Sequence, residues 1–177
     1  MKIAVWGPAT WNLLHTICEK IYEDKFNIAK NDLYKIITLI SISVPCPICR
    51  NHATNYLNTH KINKCNTKES LKMFVYNLHN AASINANKPL FDVTILEKYK
   101  NSSFSNIYRN YINIYNKNRT DDLEYSFRRR INISEISTLL VKNTSNFNIF
   151  SRRLNFIPNN SNLFAFSERH DYKIPFF

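Results

Sequence analysis

From residue 10 to residue 99, apolar side chains recur at three- and four-residue steps, and the interruptions carry proline or short polar capping residues. That repeat is the signature of amphipathic α-helices. A first helix, opening with Pro8 near its first turn, aligns Trp11, Leu14, His15, Cys18, Ile21 and Tyr22 on one stripe. A second spans about 32–44, with Leu33, Ile36, Ile37 and Ile40 inward, Asn31 or Asp32 as its cap and Pro45 as its stop. The third starts at Cys46-Pro47-Ile48-Cys49 and continues through His52, Ala53, Tyr56 and Leu57. Proline is tolerated there because first-turn N–H groups have no intrahelical partner. Thr67 caps a fourth helix bearing Leu71, Phe74, Val75, Leu78, His79, Ala82 and Ala86. Pro89 stops it, and Asp92 or Thr94 opens a short fifth that ends near Tyr99.

Short helices with brief connections favour a compact bundle, so the predicted class is all-α: a four-helix bundle with a short fifth helix over residues 1–101. Residues 102–177 form a C-terminal extension rich in Asn, Ser, Tyr, Phe and Arg, to which the pattern assigns no role. It predicts helices around 106–115 and 133–141, whereas 143–177 is a poor helix former.

A chain of 177 residues suits one modest domain and an appendage. The N-terminus lacks the apolar run of a secretory signal, and no stretch approaches the roughly 18 unbroken apolar residues of a membrane span. The expectation is a soluble protein of a reducing compartment. Four cysteines there point to catalysis or metal binding rather than to a disulfide framework. The net charge of +11 would suit an anionic partner, yet only Arg128, Arg129 and Arg130 form a run, and the other cations are scattered as on a solvated surface. Gly7 is the single glycine, which excludes a Gly-rich phosphate loop. Any nucleotide cofactor must be gripped by side chains and helix ends.

Cys46 and Cys49 stand at a helix start, where partial positive charge and free N–H groups lower a cysteine pKa from about 8.5 toward about 7. Such a pair reads as redox-active or as half of a metal site. The metal version has a definite form, with Cys46, Cys49, His52 or His60, and Cys65 around zinc, although no second paired-ligand knuckle follows.

The run Trp6-Gly7-Pro8-Ala9-Thr10-Trp11-Asn12-Leu13-Leu14-His15, then Cys46/Cys49, then His79-Asn80 and Lys88-Pro89, resembles the Erv/ALR family of FAD-linked sulfhydryl oxidases. The likeness covers about residues 6–99, and the segment 46–57 with His52 looks most like the versions encoded by large cytoplasmic DNA viruses. It implies FAD wrapped by the bundle. Gly7, Trp11 and His15 of the first helix, Cys49, His79, Asn80, Ser83 and Lys88, and Tyr99 would be its contacts. On their own, Trp11 and His79 read as core residues and Lys88 as a solvated one. The resemblance further implies that Cys46 exchanges with a substrate dithiol while Cys49 lies against the flavin, with O2 reoxidising it to give H2O2.

The chain departs from the family pattern in places. Ser83 stands where members have asparagine, and Ala82 before it is small. The disulfide that staples some cellular members falls on Tyr76 and Val93. The basic-aromatic pair is Lys98-Tyr99 or Tyr99-Lys100. No second C-x-x-C exists to act as a shuttle, so the implied substrate is a thioredoxin-like or small C-x-x-C protein that reaches Cys46 directly. Cys18 is expected to be a core thiol and Cys65 an exposed one in a polar loop. A homodimer without membrane or nucleic-acid partners, in the host cytoplasm and virion, completes the expectation. The alternatives are a non-enzymatic zinc-binding interaction module and a basic nucleic-acid-binding protein.

Overall fold

The first helix begins earlier than its proline suggests. In the computed structural model, which describes residues 2–117 and 122–148, α1 spans Ile3–Lys20 and encloses Pro8. Burial of Trp6, Ala9 and Thr10 on its inner face offsets the backbone hydrogen bond that an interior proline forfeits. Ile21 and Tyr22 lie beyond its end: Ile21 makes an isolated antiparallel bridge with Phe147, and Tyr22 is exposed rather than on the buried stripe.

α2 covers Phe26–Ile42, starting well before Asp32 because Phe26 and Ala29 extend the buried stripe of Leu33, Ile36, Ile37 and Ile40. Asp32 is therefore not a cap. Its carboxylate accepts from Asn143 Nδ2 at 2.8 Å and pairs with Lys142 Nζ at 2.8 Å. α3, Pro47–His60, is capped by Cys46 and closed by Lys61 in a left-handed conformation, φ 49°. α4, Lys68–Asn85, opens with a reciprocal box in which Ser70 N–H donates to Thr67 Oγ1 at 3.1 Å and Thr67 N–H to Ser70 Oγ at 3.0 Å. The fifth element is a 3₁₀ helix, Val93–Tyr99, capped by Asp92, whose carboxylate accepts from Thr94 N–H at 2.8 Å. α5, Phe104–Lys117, and α6, Leu123–Lys142, follow, each longer than the apolar pattern alone indicates.

α1 is the central rod. α5 lies along it as its most extensive neighbour, α4 flanks it, and α2 packs on α6 and α3. Leu13, Leu14 and Ile17 of α1 share one core with Tyr111 and Tyr115 of α5, Ile136 and Leu140 of α6, and Phe147. The change of texture after Tyr99 is thus not a physical separation over the described residues. Thr10 Oγ1 and Tyr115 OH share a buried hydrogen bond of 2.6 Å, and Lys72 reaches Glu19 at 2.9 Å across α4 and α1. Cys18 is buried as expected, but Cys65 is buried too, at 7% exposure. Tyr34 OH donates to its carbonyl, and its thiol donates to Ser70 O at 3.6 Å, which draws this loop onto the core. Among the described residues, no helix is long and apolar enough to cross a membrane. Residues 149–177, most of the stretch 143–177 read as a poor helix former, lie outside the described residues.

Candidate active site

The N-terminal half of α1, one side of α3 along its length, the C-terminal half of α4 and the 3₁₀ helix surround a cavity of about 930 Å³. That is near the upper end of the range for small-molecule and cofactor sites, about 300–1,000 Å³. Cys46 and Cys49 line it and are joined in a disulfide, with Cα atoms 5.2 Å apart. Cys46 is the N-cap of α3, and its Sγ accepts from the Cys49 N–H at 3.2 Å. α3 contributes no buried side chain, so its sulfur-bearing end is not sealed off; Ile48, between the two cysteines, is 67% exposed.

Opposite walls are aromatic. Trp11 and His79 stack with centroids 4.0 Å apart and planes 12° from parallel, and Phe91 leans on His79 at 4.3 Å. At this spacing no third ring fits between Trp11 and His79. A planar ligand can only lie on their outer faces. Behind His79, His15 Nε2 shares a 3.1 Å hydrogen bond with His79 Nδ1, and the His15 ring stacks on Tyr99 at 4.8 Å. Burial, together with the charge of His79 and of Lys98, pushes the His15 pKa down to about 3; burial and Lys98 push that of His79 down to about 4. Both imidazoles are therefore neutral at physiological pH, and one donates to the other. Positive charge at the cavity comes instead from Lys88 and Lys98, both exposed at its wall.

Of the residues singled out in the sequence, Gly7, Trp11, Cys46, Cys49, His79, Ser83, Lys88 and Tyr99 line the cavity. A Cβ at Gly7 would meet Ile3 Cγ2 at an ordinary 3.6 Å, so the protein itself does not require glycine there. His15 stands behind the wall as the partner of His79. Asn80 holds a loop: it donates to Phe91 O at 3.2 Å and accepts from Phe91 N–H at 2.9 Å. Tyr76 OH donates to the same carbonyl at 2.7 Å, so hydrogen bonds join α4 to the segment before the 3₁₀ helix where a disulfide is missing. Sequence reasoning missed Trp6 and Phe91 as wall residues. Phe91 sits in a nonperiodic loop with no pattern to betray it, whereas Trp6 was visible in the motif.

Among the described residues, the buried Trp6 indole N–H has no partner, and neither has His15 Nδ1. A buried polar group costs free energy until something pairs with it. The zinc arrangement is not assembled: Cys46 and Cys49 are bonded to each other, and among the described residues no three His, Cys, Asp or Glu side chains gather as ligands. The arginine run is not a continuous basic face either, since Arg129 is buried between Arg128 and Arg130.

The Erv1/Alr family model matches residues 8–104, more than half of the chain. An FAD-linked sulfhydryl oxidase of African swine fever virus is 31% identical over 101 residues, covering 54% of this chain and 77% of that one. Protein 096R of Invertebrate iridescent virus 3 is 26% identical over 98 residues, 54% of this chain and 66% of the relative. The FAD-linked sulfhydryl oxidase ERV1 of Oryza sativa subsp. japonica is 28% identical over 85 residues, 48% and 43% of the two chains. The chain thus spans just under two thirds of the iridescent virus relative and under half of the rice one. No solved structure gives a significant match. With Cys46, Cys49, Trp11, His79, Phe91 and Tyr99 all inside the matched span, the chain belongs to the Erv1/Alr family.

Proposed function

We propose that the protein is an FAD-dependent thiol oxidase that makes disulfides in protein substrates, with its site in residues 1–101. The observation that carries this reading is the Cys46–Cys49 disulfide, which sits at an uncovered helix start and also lines an aromatic-walled cavity of cofactor size. The cavity residues fit the group. Trp11 and His79 offer a flat, neutral aromatic surface, and Lys88 and Lys98 offer cations to a pyrophosphate.

The sulfur chemistry follows from the cap. A substrate thiolate attacks Cys46 Sγ; the Cys46–Cys49 bond breaks and Cys49 leaves as a thiolate. The second substrate thiol then attacks the mixed disulfide at the substrate sulfur and releases Cys46. One substrate disulfide has formed, and two electrons and two protons remain on the Cys46/Cys49 pair. Cys46 departs readily because the Cys49 N–H and the positive end of α3 stabilise its thiolate. FAD held against Trp11, His79, Lys88 and Lys98 would supply the two-electron acceptor that the thiols lack, with O2 as the final oxidant and H2O2 as the product.

Because the chain carries no second C-x-x-C, the substrate is read as a thioredoxin-like or small C-x-x-C protein that docks at Cys46 directly. An assignment to the host cytoplasm and the virion, with a homodimer as the working form, belongs to the same proposal. The test is peroxide release by the purified protein supplied with dithiothreitol. Peroxide should appear at one equivalent per dithiol oxidised, and Cys49→Ser should abolish it. Absence of thiol-dependent peroxide from flavin-loaded parent protein would overturn the reading.

A further inference from the structure

The turn that delivers Cys46 is held from outside the matched domain. α2 stops at Ile42, and Ser43 (0% exposed) and Val44 (5%) then bury two backbone carbonyls that have left the helical ladder. Tyr125, in the first turn of α6, supplies their donor: its OH lies 2.6 Å from Ser43 O and 2.7 Å from Val44 O, one proton shared between two acceptors. Arg50, the residue after Cys49, donates from Nη1 to Val44 O at 3.2 Å and lays its guanidinium over the Tyr125 ring, 3.7 Å from the centroid. Asn132, also on α6, donates to Ser43 Oγ at 3.0 Å. Tyr125 is itself placed by the start of α6, where its N–H donates to Asp122 Oδ1 at 2.8 Å. One tyrosine therefore grips the chain two residues before Cys46 and one residue after Cys49.

We propose that α6 is a positioning element for the redox disulfide, and that Tyr125 sets the geometry and thiolate character of Cys46 through Val44 and Arg50. This rests on the reading of Cys46 and Cys49 as a redox pair. The physical route is short. The Tyr125 hydroxyl and the Arg50 guanidinium neutralise the negative ends of the carbonyls that lead into the cap, and a fixed turn keeps the Cys49 N–H on Cys46 Sγ. Removing the hydroxyl frees the carbonyl dipoles and slackens that contact, and both effects disfavour the Cys46 thiolate. Charged or titratable groups on the neighbouring elements include His52 and His60 of α3, Arg129, Arg130 and the Arg128–Glu124 pair of α6, the Lys35–Glu135 pair between α2 and α6, and the neutral His15–His79 pair on the far wall. Tyr125→Phe keeps the ring beneath Arg50 and alters no charged side chain; it removes only the hydroxyl and that hydroxyl's contacts, those to Arg50 and Arg129 among them.

The experiment uses the full chain, reduced and freed of reductant, and follows alkylation of Cys46 by iodoacetamide across pH with mass spectrometric readout. Tyr125→Phe is expected to move the Cys46 midpoint upward by about half to one pH unit, so that alkylation below it slows about threefold to tenfold. Asn132→Ala, which loses only the bond to Ser43 Oγ, should give a smaller shift of the same sign. Leu140→Ala, in the α6 core about 22 Å along the helix from Tyr125, should lower Tm and leave the profile in place. A Tyr125→Phe profile that superimposes on the parent's would overturn the proposal, as would an equal shift in Leu140→Ala. Neither result bears on whether the parent oxidises dithiols. A parent that releases no peroxide would sink the oxidase reading while the alkylation profile still decides the role of Tyr125.

Discussion

The hydrogen-bonded pair of neutral imidazoles makes the aromatic wall sensitive to acid. His15 and His79 are buried, with pKa values near 3 and 4 against an ordinary 6.5. Both folded-state values are depressed. The unfolded chain therefore binds protons first as pH falls, and the stability present above pH 6.5 is lost progressively down toward the folded values. At about pH 5, one and a half units below 6.5, each histidine has cost about 2 kcal/mol at 1.36 kcal/mol per unit, or about 4 kcal/mol for the pair. That is a large share of a typical total of about 5–15 kcal/mol. The window is favourable because carboxylates mostly titrate below it; Asp32 in particular is held under the usual range by hydrogen bonds from Lys142 and Asn143. Urea unfolding of the purified protein at about pH 7.5 and about pH 5 measures the loss. Substituting either histidine by glutamine should reduce it by about half. A pH-independent midpoint, or the full loss in both single variants, would refute the assignment of the pair as buried and neutral.

Trp11→Ala removes the ring that stacks on His79 and faces the cavity, so flavin affinity should fall at least tenfold, about 1.4 kcal/mol, in a fluorescence titration; unchanged affinity would show that the cofactor does not use this wall. Asn80→Ala deletes both hydrogen bonds to Phe91 at a half-buried position, worth about 1 kcal/mol together, so the Phe91 amide should exchange about fivefold faster by hydrogen–deuterium exchange. Parental protection there would leave the loop held by Tyr76 alone. The Cys18 thiol is pushed far above its ordinary pKa, chiefly by burial, so iodoacetamide near neutral pH should leave it unmodified until the protein unfolds. Labelling at the rate of a free thiol would place Cys18 outside the core.

What could be read in the sequence was mostly local chemistry. Thr67, Asp92 and the Cys46-Pro47 start carry their own capping groups, and the structure uses each as a cap. Pro8 misled because a proline favours a first turn but does not compel one, and the burial of Trp6 that carries α1 past it is a tertiary event. The same holds for α2, whose start at Phe26 is visible only once that ring has a core to enter. Asp32 looked like a cap and is a tertiary acceptor instead, because Lys142 and Asn143 reach it from the end of α6. In the site, residue identity was legible but partnership was not. His15 and Asn80 belong to the motif, yet one backs His79 and the other ties down Phe91 eleven residues away. Tyr125 was invisible because its partners are backbone carbonyls about eighty positions earlier, and no side-chain pattern encodes them.

In the proposed reaction, electrons leave the Cys46/Cys49 pair through Cys49 to a flavin in the cavity. Anaerobic mixing of the yellow protein with dithiothreitol, with the flavin absorbance followed in a stopped-flow cell, tests it most directly. The parent should bleach rapidly and recover its colour when O2 is admitted, whereas Cys49→Ser should stay yellow. Bleaching of Cys49→Ser at the parental rate, or a parent protein that holds no flavin at all, would contradict the account.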